Sequence, residues 1–442
     1  MNKDELEKIL RKTIGVSKGE TEAVVLGGRS YVTAFANNYI HRNVGENNYT
    51  LSIRVAFGKR VGSVTVNDFN EGAIEDAVKR AEEIAKSSSE IPDFVSFAKP
   101  EEVPERSFFL ESTEQASPSL RAEYVKKIID TAKEKGLNAN GTFTTEEMAL
   151  GVANSLGVMR ISQLTTASLK SVIMSDTSSG YSLATSIDIN DISVDSVIKE
   201  SVSLALSGKN PLPIEPGKYE VILSPYAFSE FLSSLCYLTF NARAVEECSS
   251  FFLDNFGKKM FPEHVTIYDD GLSSETIPMP FDFEGVPKKR VYFIKNGVIT
   301  DVVYDTLTAY KVGRESTGHS LPQPSDFSPY PMNVIMEGGS LARDEIISHV
   351  EKGLYVHRFW YTNPMDPRRA VITGMTRDGL FLIEGGKITK PVKNMRFTES
   401  AIDALANCVE VSKEKKINYE GTSITVPYVR IKDFMFTSAT EF

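Results

Sequence analysis

The 442-residue sequence contains few of the residues that mark disulfide-rich, metal-binding or membrane-spanning proteins: three cysteines, five histidines and one tryptophan. The cysteines (Cys236, Cys248 and Cys408) are far apart and form no C-x-x-C motif. This pattern predicts a reduced, cytoplasmic protein without a disulfide framework. No apolar run reaches the roughly 20 residues of a membrane-spanning helix. The first residues, MNKDELEKILRK, lack the apolar region of a signal peptide. We therefore expect no membrane partner.

A net positive charge is also lacking, because 59 Asp and Glu outnumber 49 Lys and Arg and the formal net charge is −10. Duplex DNA binding needs basic patches that displace counterions from the phosphates, so we expect no nucleic-acid partner. The sequence contains neither G-x-G-x-x-G nor G-x-x-x-x-G-K-[ST], and nucleotide cofactors therefore have no support. The 41% of hydrophobic residues and 24% of charged residues are typical of a globular protein.

The length predicts two or three domains, and the first half contains an internal repeat. Residues 1–89 and 118–209 each open with a helix, continue through strands and end with a similar helix, AIEDAVKRAEEIA in one and SVDSVIKESVSLA in the other. We interpret these as a duplicated α+β unit. Residues 90–117, rich in Pro, Glu and Ser, are predicted to be a linker.

The second half, residues 217–442, is predicted to be a mostly antiparallel β domain with a few helices. The whole chain is therefore predicted to be α+β, with a duplicated N-terminal module followed by this C-terminal domain. Asn296-Gly297 and Asp378-Gly379 are typical of short hairpin turns. The predicted helices are Pro225–Asn241, Ser340–Lys352 and Thr398–Val411.

One strand-to-helix unit is the most informative part of the chain. Tyr219–Leu223 is rich in β-forming residues, and Ser224-Pro225 is typical of an N-cap followed by proline at the first helical position. Metallopeptidases often carry zinc ligands on such a helix, and a zinc site needs about three His, Cys, Asp or Glu ligands. Here Ser233, Ser234 and Leu238 offer no imidazole and no carboxylate.

The segments PGKYEVILSPYAFSEFL, FFLDNFGKKMFPEHVTIYDDG, PFDFEGVPKKRVYFIKNGVITDVVYDTLTAYKVGRESTGHS and YEGTSITVPYVRIKDFMF resemble the TldD/PmbA family. The resemblance is to the PmbA branch, also called TldE, once described as modulators of DNA gyrase. In the TldD branch the helix carries H-E-x-x-x-H, and a later cysteine completes a zinc site. Without gaps, the His-Glu pair corresponds to Ser233-Ser234, the second His to Leu238 and the cysteine to the region of Ile417. None of these four residues is a zinc ligand.

The resemblance implies a non-catalytic PmbA/TldE-type subunit with no cofactor of its own. Zinc is then expected in a TldD-type catalytic partner, and the complex is expected to hydrolyse unfolded or small peptides. Alone, the chain is expected to form a homodimer, mainly through its C-terminal half. Three alternatives stay open: a self-contained metallopeptidase with a site that includes His319 and Glu315, a homodimeric binding or scaffold protein, and a gyrase regulator.

The polar loop from Arg314 to His319 holds the other candidate site residues. Arg314, Ser316 and His319 are candidates for the wall of a peptide cleft, which the resemblance supports because the matching loop in the TldD branch borders the active-site cavity. Local hydrogen bonding within the loop is the alternative, and a metal ligand is a third possibility. The loop lacks Gly-x-Ser-x-Gly, so Ser316 is not in the context of a hydrolase nucleophile.

Two further histidines, His349 and His357, flank Glu351 on a predicted helix and strand. A mixed metal site formed by these three residues is possible, but helix capping or surface placement is the favoured interpretation. Trp360 lies on a predicted strand and is predicted to pack in the hydrophobic core. The alternative is an exposed residue at an interface.

Two short polar segments are assigned without chemistry. Asp269-Asp270-Gly271 is predicted to be a turn rather than a calcium loop, because the D-x-[DN]-x-[DN]-G spacing is absent. Lys413–Lys416 is predicted to be solvated surface.

Overall fold

The computed structural model describes residues 1–104 and 106–440 of the chain. Glu105 of the predicted linker, and Glu441 and Phe442 at the end of the predicted C-terminal domain, lie outside the described residues. Within the described part, no helix is both long enough and apolar enough to cross a membrane.

The N-terminal part consists of two units with the same order: a helix, three strands and a helix. Local signals set the helix starts, since Asn2 and Glu5 form a capping box and the Ser117 hydroxyl caps the helix that begins at Pro118. In chain order the elements are α1 (Lys3–Val16), β1 (Glu20–Ala36), β2 (Tyr39–Phe57), β3 (Arg60–Val66), α2 (Glu71–Ser87), α3 (Glu111–Glu114), α4 (Pro118–Glu134), β4 (Asn138–Asn154), β5 (Met159–Met174), β6 (Ser179–Ser186) and α5 (Val194–Ser207).

The two units share one antiparallel sheet with strand order β3-β2-β1-β4-β5-β6. Strands β1 and β4 join the units through pairs that run from Glu22↔Asn154 to Phe35↔Gly141. Helices α1 and α2 bury their apolar residues against the first unit, and α4 and α5 against the second. The two duplicated units thus form the two halves of one six-stranded sheet.

The C-terminal part is a larger mixed sheet whose core is built around one buried helix. Its elements are β7 (Gly217–Leu223), α6 (Pro225–Leu238), α7 (Ala242–Glu246), β8 (Ile267–Asp269), β9 (Val291–Lys295), β10 (Val298–Ile299), α8 (Thr306–Lys311), β11 (Asn333–Met336), α9 (Arg343–Ser348), β12 (Lys352–Asp366), β13 (Val371–Glu384), β14 (Lys387–Pro391), β15 (Met395–Ser400), α10 (Ala401–Ala406), β16 (Cys408–Tyr419) and β17 (Ser423–Ala439).

The strands of this sheet follow the order β10-β9-β8-β11-β17-β15-β13-β12-β7. Strand β14 pairs with β13, β16 pairs with β17, and β17 also pairs with β7. Most pairs are antiparallel, whereas β11–β17 and β12–β7 are parallel. The α+β class predicted from the sequence is therefore confirmed.

A buried ion network joins the N-terminal sheet to the C-terminal part. Arg54 on β2 lies 2.6 Å from the carboxylate of Glu22 on β1 and 3.3 Å from that of Glu284 in a C-terminal loop. All three side chains are largely buried. Beside them Phe281 and Phe283 pack on Val24 and Val152 of the sheet.

Several local predictions need correction. The predicted linker contains α3. Its Phe97 is buried against the first unit, because burial removes the apolar surface of the ring from water. The Asp378-Gly379 pair makes no hairpin turn. It lies inside β13, where both residues have positive φ and β13 continues to pair with β12 on either side. Asn296-Gly297 does form the turn between β9 and β10. The helices predicted at Ser340–Lys352 and Thr398–Val411 are shortened to α9 and α10.

Candidate functional site

Helix α6 starts as its sequence predicts. The Ser224 hydroxyl accepts hydrogen bonds from the backbone N–H of Tyr226 at 3.1 Å and Ala227 at 3.4 Å. Pro225 occupies the first turn, where a missing N–H costs nothing. Most of the helix is buried, with Phe231, Leu232 and Leu235 in the core of the large sheet. Because the helix is packed on most sides, its remaining side chains have fixed positions.

The polar face of α6 is lined with hydroxyl groups. Ser233 and Ser234 are half-buried there. The Tyr330 hydroxyl lies close to the side chains of Ser233 and Thr422. Burial raises the pKa of Tyr330, so this phenol stays protonated at neutral pH. The position that corresponds to the zinc-binding pair is thus surrounded by neutral hydroxyls.

Strand β16 reaches the same helix through the residue after Ile417. The Asn418 amide donates to the Ser229 hydroxyl on α6. Ile417 itself lies on the lining of a cleft beside Lys416. The structure therefore brings together α6 and β16, the two segments that correspond to the zinc-binding segments of the TldD branch. It places an amide rather than a thiolate against the helix.

The α6 site does not fit zinc. Leu238 is buried in the apolar core, and Ser233 offers only a neutral hydroxyl. In residues 1–104 and 106–440 no group of three His, Cys, Asp or Glu side chains is arranged to hold a metal ion. Zinc needs ligands of these types, and the site lacks them.

The histidine of the polar loop, His319, belongs to a separate buried cluster. Its Nε2 atom lies 2.9 Å from Oδ1 of Asp269, and Lys288 Nζ lies 3.2 Å from the same oxygen. The other oxygen of Asp269 accepts the backbone N–H of Asn333 at 2.7 Å. The Thr317 hydroxyl lies 2.9 Å from His319 Nδ1. All three ionisable side chains have almost no exposed surface.

The charge states of this cluster follow from its contacts. Burial favours a neutral carboxyl, but Lys288 and His319 hold the pKa of Asp269 well below its usual range. Burial and the nearby Lys288 lower the pKa of His319. A neutral His319 therefore donates from Nε2 to the carboxylate and accepts from Thr317 at Nδ1. As placed, His319 has no free nitrogen and no surface for a peptide, so the local hydrogen-bonding interpretation fits it best.

The other two loop candidates are more accessible. Arg314 forms a two-pronged ion pair with Asp301, at 2.6 and 2.7 Å, and stacks over the Tyr304 ring. Ser316 donates to the Tyr304 carbonyl at 3.2 Å. Both side chains hold the loop in place, and their role in a cleft wall stays a prediction.

The remaining histidines are not grouped. His349 ends α9 and lies 2.9 Å from Glu410. His357 was expected at a helix cap or on the surface, and that expectation is wrong. It is buried on β12, where Nε2 lies 2.9 Å from the Tyr181 carbonyl and Nδ1 lies 3.3 Å from the Tyr355 hydroxyl. This part of β12 is covered on both faces, since residues 353–357 are all buried.

The predicted core position of Trp360 is also wrong. The residue is 43% exposed, and it lies near the exposed Tyr361 and Met365 on β12. On β12, strand β7 pairs only with Leu354–Val356. The outer half of β12 therefore extends beyond the covering layers. The Arg377 guanidinium stacks 4.2 Å over the indole ring.

Sequence reasoning missed Asp269, Lys288 and Tyr330. Asp269 was assigned to a turn, but it ends strand β8 and is buried. The partners of these residues lie far away in the chain, and only the fold brings them together. The local sequence did not indicate that these polar residues are buried, apart from the charged residues that lie near aromatic ones.

Comparison with known families identifies the protein class. A model described as the PmbA/TldA metallopeptidase C-terminal domain matches residues 216–438, which is half of the chain. A second, described as PmbA/TldA metallopeptidase domain 1, matches residues 21–85. The fold and the α6 site thus define a protein built on a metallopeptidase framework. The chain belongs to the PmbA/TldD family.

Several relatives share parts of the sequence. "Metalloprotease PmbA" of Escherichia coli O157:H7 is 26% identical over 410 residues, covering 86% of this chain and 85% of that protein. A "Metalloprotease" of Methanothermobacter thermautotrophicus is 25% identical over 50% of this chain and 51% of that protein. A "Metalloprotease TldD homolog" of Buchnera aphidicola is 27% identical over 53% of this chain and 48% of that protein. The match spans about half the length of the latter two relatives.

Two solved structures share the complete fold. TldE from Thermococcus kodakarensis has a TM-score of 0.90 with 22% identity, covering 98% of this chain and 100% of that one. A candidate modulator of a DNA gyrase from Thermotoga maritima has a TM-score of 0.88 with 18% identity, covering 99% of this chain and 100% of that one. At these identities the similarity establishes the fold.

Proposed function

We propose that this chain is a non-catalytic, PmbA/TldE-type subunit of a zinc metallopeptidase. One observation carries the proposal: the positions that would hold zinc in a TldD-type chain are occupied here by Ser233, Leu238 and Ile417. None of these side chains can replace imidazole or thiolate ligands. The catalytic zinc then belongs to a TldD-type partner, and the substrates of the complex are small or unfolded peptides.

The buried Asp269–Lys288–His319 cluster supports the same proposal. Each of its acid–base groups is engaged and enclosed. A general base must come within hydrogen-bond reach of a substrate proton. The cluster braces the loop beside α6, and it does not offer a second catalytic centre.

An exposed patch offers a place for assembly. Trp360, Tyr361 and Met365 protrude from the β12–β13 hairpin in the C-terminal half. Exposed aromatic residues and methionine are enriched in protein interfaces. We propose that this patch joins two copies when the chain is alone, and joins the chain to a TldD-type partner in a cytoplasmic complex.

Sedimentation of the purified chain with and without a TldD-type subunit tests the assembly. We expect a homodimer at micromolar concentration, replaced by a mixed dimer that gains peptidase activity. Tyr361→Ser should weaken the mixed dimer. Tyr39→Ser is the matched control, because Tyr39 is 56% and Tyr361 66% exposed but Tyr39 lies in the N-terminal sheet. A chain that stays monomeric under both conditions contradicts the proposal.

A further inference from the structure

A cleft of about 950 Å³ lies between the second N-terminal unit and the C-terminal part. One wall is formed by strand β6 and helix α5, and the other by residues of β12, β13, β14, β16 and β17. This volume is in the range of cavities that hold small ligands. Ser233, Ser234 and the buried Asp269 cluster do not line this cleft, whereas Ile417 does.

Two cations, Arg343 and Lys416, lie in the cleft on the C-terminal wall. The Arg343 guanidinium packs 5.6 Å over the ring of Tyr428. Both cations oppose the rise that burial causes in the pKa of Tyr428, which places them near its hydroxyl. The predicted surface position of Lys416 is thus only partly correct. A positive site of this kind is unusual in a chain of net charge −10.

Lys416 is paired with the largely buried Glu200, whereas Arg343 has no buried carboxylate partner. Arg343 Nε lies 3.1 Å from Asp344, whose side chain is almost fully exposed. Such an exposed pair contributes little and exchanges easily with other anions. Lys416 donates to Glu200 at 2.7 Å and to the Tyr226 hydroxyl at 2.9 Å. An ammonium has three donors, so one remains for a ligand.

The carboxylate in the cleft is already satisfied. Glu200 Oε2 accepts from Lys416 and from the Ser182 hydroxyl, each at 2.7 Å, and lies 3.0 Å from the Tyr226 hydroxyl. Burial opposes ionisation, but Lys416 and His357 lower the pKa of Glu200. Glu200 therefore fixes Lys416 in position, whereas Arg343 is left to meet an incoming anion.

The rest of the lining is suited to a peptide. Strand β6 is an edge strand of its sheet, and residues 182–186 line the cleft consecutively. At Leu183 the edge is already occupied, since the Tyr226 hydroxyl lies 3.1 Å from both its N–H and its C=O. Thr185, two residues further along the same edge, is the position at which the main chain of a peptide can pair. Extended peptides bind such edges through their main chain. The apolar lining residues are Leu183, Ile192, Leu204, Phe381, Ile388 and Ile417.

We propose that this cleft binds short peptides with hydrophobic side chains through the free C-terminal carboxylate, which Arg343 and Lys416 hold. The inference rests on the proposed function, because a peptidase subunit meets such peptides as substrates or products. Arginine and lysine form charge-assisted hydrogen bonds with a carboxylate, and the apolar lining accepts the side chains. The amide form of the same peptide keeps the side chains and loses the charge.

Fluorescence polarisation of the purified chain tests the site. The probes are dansyl-Ala-Leu-Ala-Leu with a free C-terminus and its C-terminal amide. We expect the acid to bind at least about tenfold more tightly than the amide, because only the acid pairs with the two cations. Arg343→Gln should remove this preference. The matched control is Arg29→Gln, since Arg29 is 45% and Arg343 41% exposed, and Arg29 lies on the N-terminal sheet.

Equal binding of the acid and the amide would overturn the inference, as would no binding of the acid at millimolar concentration. The same holds if Arg343→Gln keeps the preference. Inorganic phosphate that displaces the peptide at equal concentration would show a general anion site, and would also overturn it. If the peptide does not bind but a TldD-type partner still gains activity from the chain, the inference fails alone. If the peptide binds and the partner gains nothing, the proposed function fails.

Discussion

Two polar regions, one on helix α6 and one beside it, differ in chemistry and in solvent access. At the α6 positions that correspond to the zinc-binding pair, Ser233 and Ser234 carry neutral hydroxyls and are partly accessible. The Asp269–Lys288–His319 cluster holds three ionisable groups and is closed to solvent. The groups of this cluster that could do acid–base chemistry are thus enclosed, whereas the accessible Ser233 and Ser234 on α6 are neutral.

The largest expected effect comes from breaking the buried cluster. Asp269→Ala leaves Lys288 and His319 buried without their carboxylate, and removing one partner of a buried pair costs about 3–5 kcal/mol. We expect this loss in the free energy of unfolding measured in urea. Asp254→Ala is the control, because Asp254 pairs with Arg368 on the surface and should change the stability by less than about 1 kcal/mol. Equal effects of the two substitutions would refute the role of the cluster.

A substitution on α6 should have the next largest effect. Leu238→His places an imidazole in the apolar core, which loses packing and buries a polar group, at a cost of about 2–4 kcal/mol. Ser234→His, at a half-buried position of the same helix, should cost less than about 1 kcal/mol. Thermal unfolding of both variants compares the two sides of the helix. If Leu238→His is harmless, the core packing described for α6 is wrong.

A smaller effect is expected from pH. The pKa of His319 is lowered in the folded state, so below about pH 6.5 the unfolded chain binds a proton that the folded chain does not. The contribution of His319 to stability should therefore decrease as the pH falls below that value, by up to about 1.4 kcal/mol per pH unit. Below about pH 4 the lowered pKa of Asp269 acts in the same direction. The raised pKa values of the buried Glu22 and Asp282 act in the opposite direction.

Urea unfolding between pH 4.5 and 7.5 measures this dependence. His319→Gln should reduce its slope, whereas His264→Gln, at an exposed position, should leave it unchanged. A slope that is the same in the wild-type chain and in His319→Gln would mean that His319 titrates normally in the folded protein.

The sequence predicted the features that local rules control. The cap at Ser224-Pro225 and the helical spacing of apolar residues located α6, and the two similar helix–strand–helix runs indicated the duplicated unit. The same rules could not place the Asp269–His319 contact, because its partners are 50 residues apart. They also missed the exposure of Trp360, since alternation along a strand does not tell where the covering layers end.

The central claim is that this chain has no zinc site of its own. Inductively coupled plasma mass spectrometry of the purified chain, alone and in complex with a TldD-type subunit, tests it most directly when peptidase activity is measured on the same samples. The account predicts no stoichiometric zinc and no peptidase activity in the chain alone, and about one zinc per mixed dimer with activity. One tightly bound zinc per chain in the isolated protein, together with peptide hydrolysis, would contradict it.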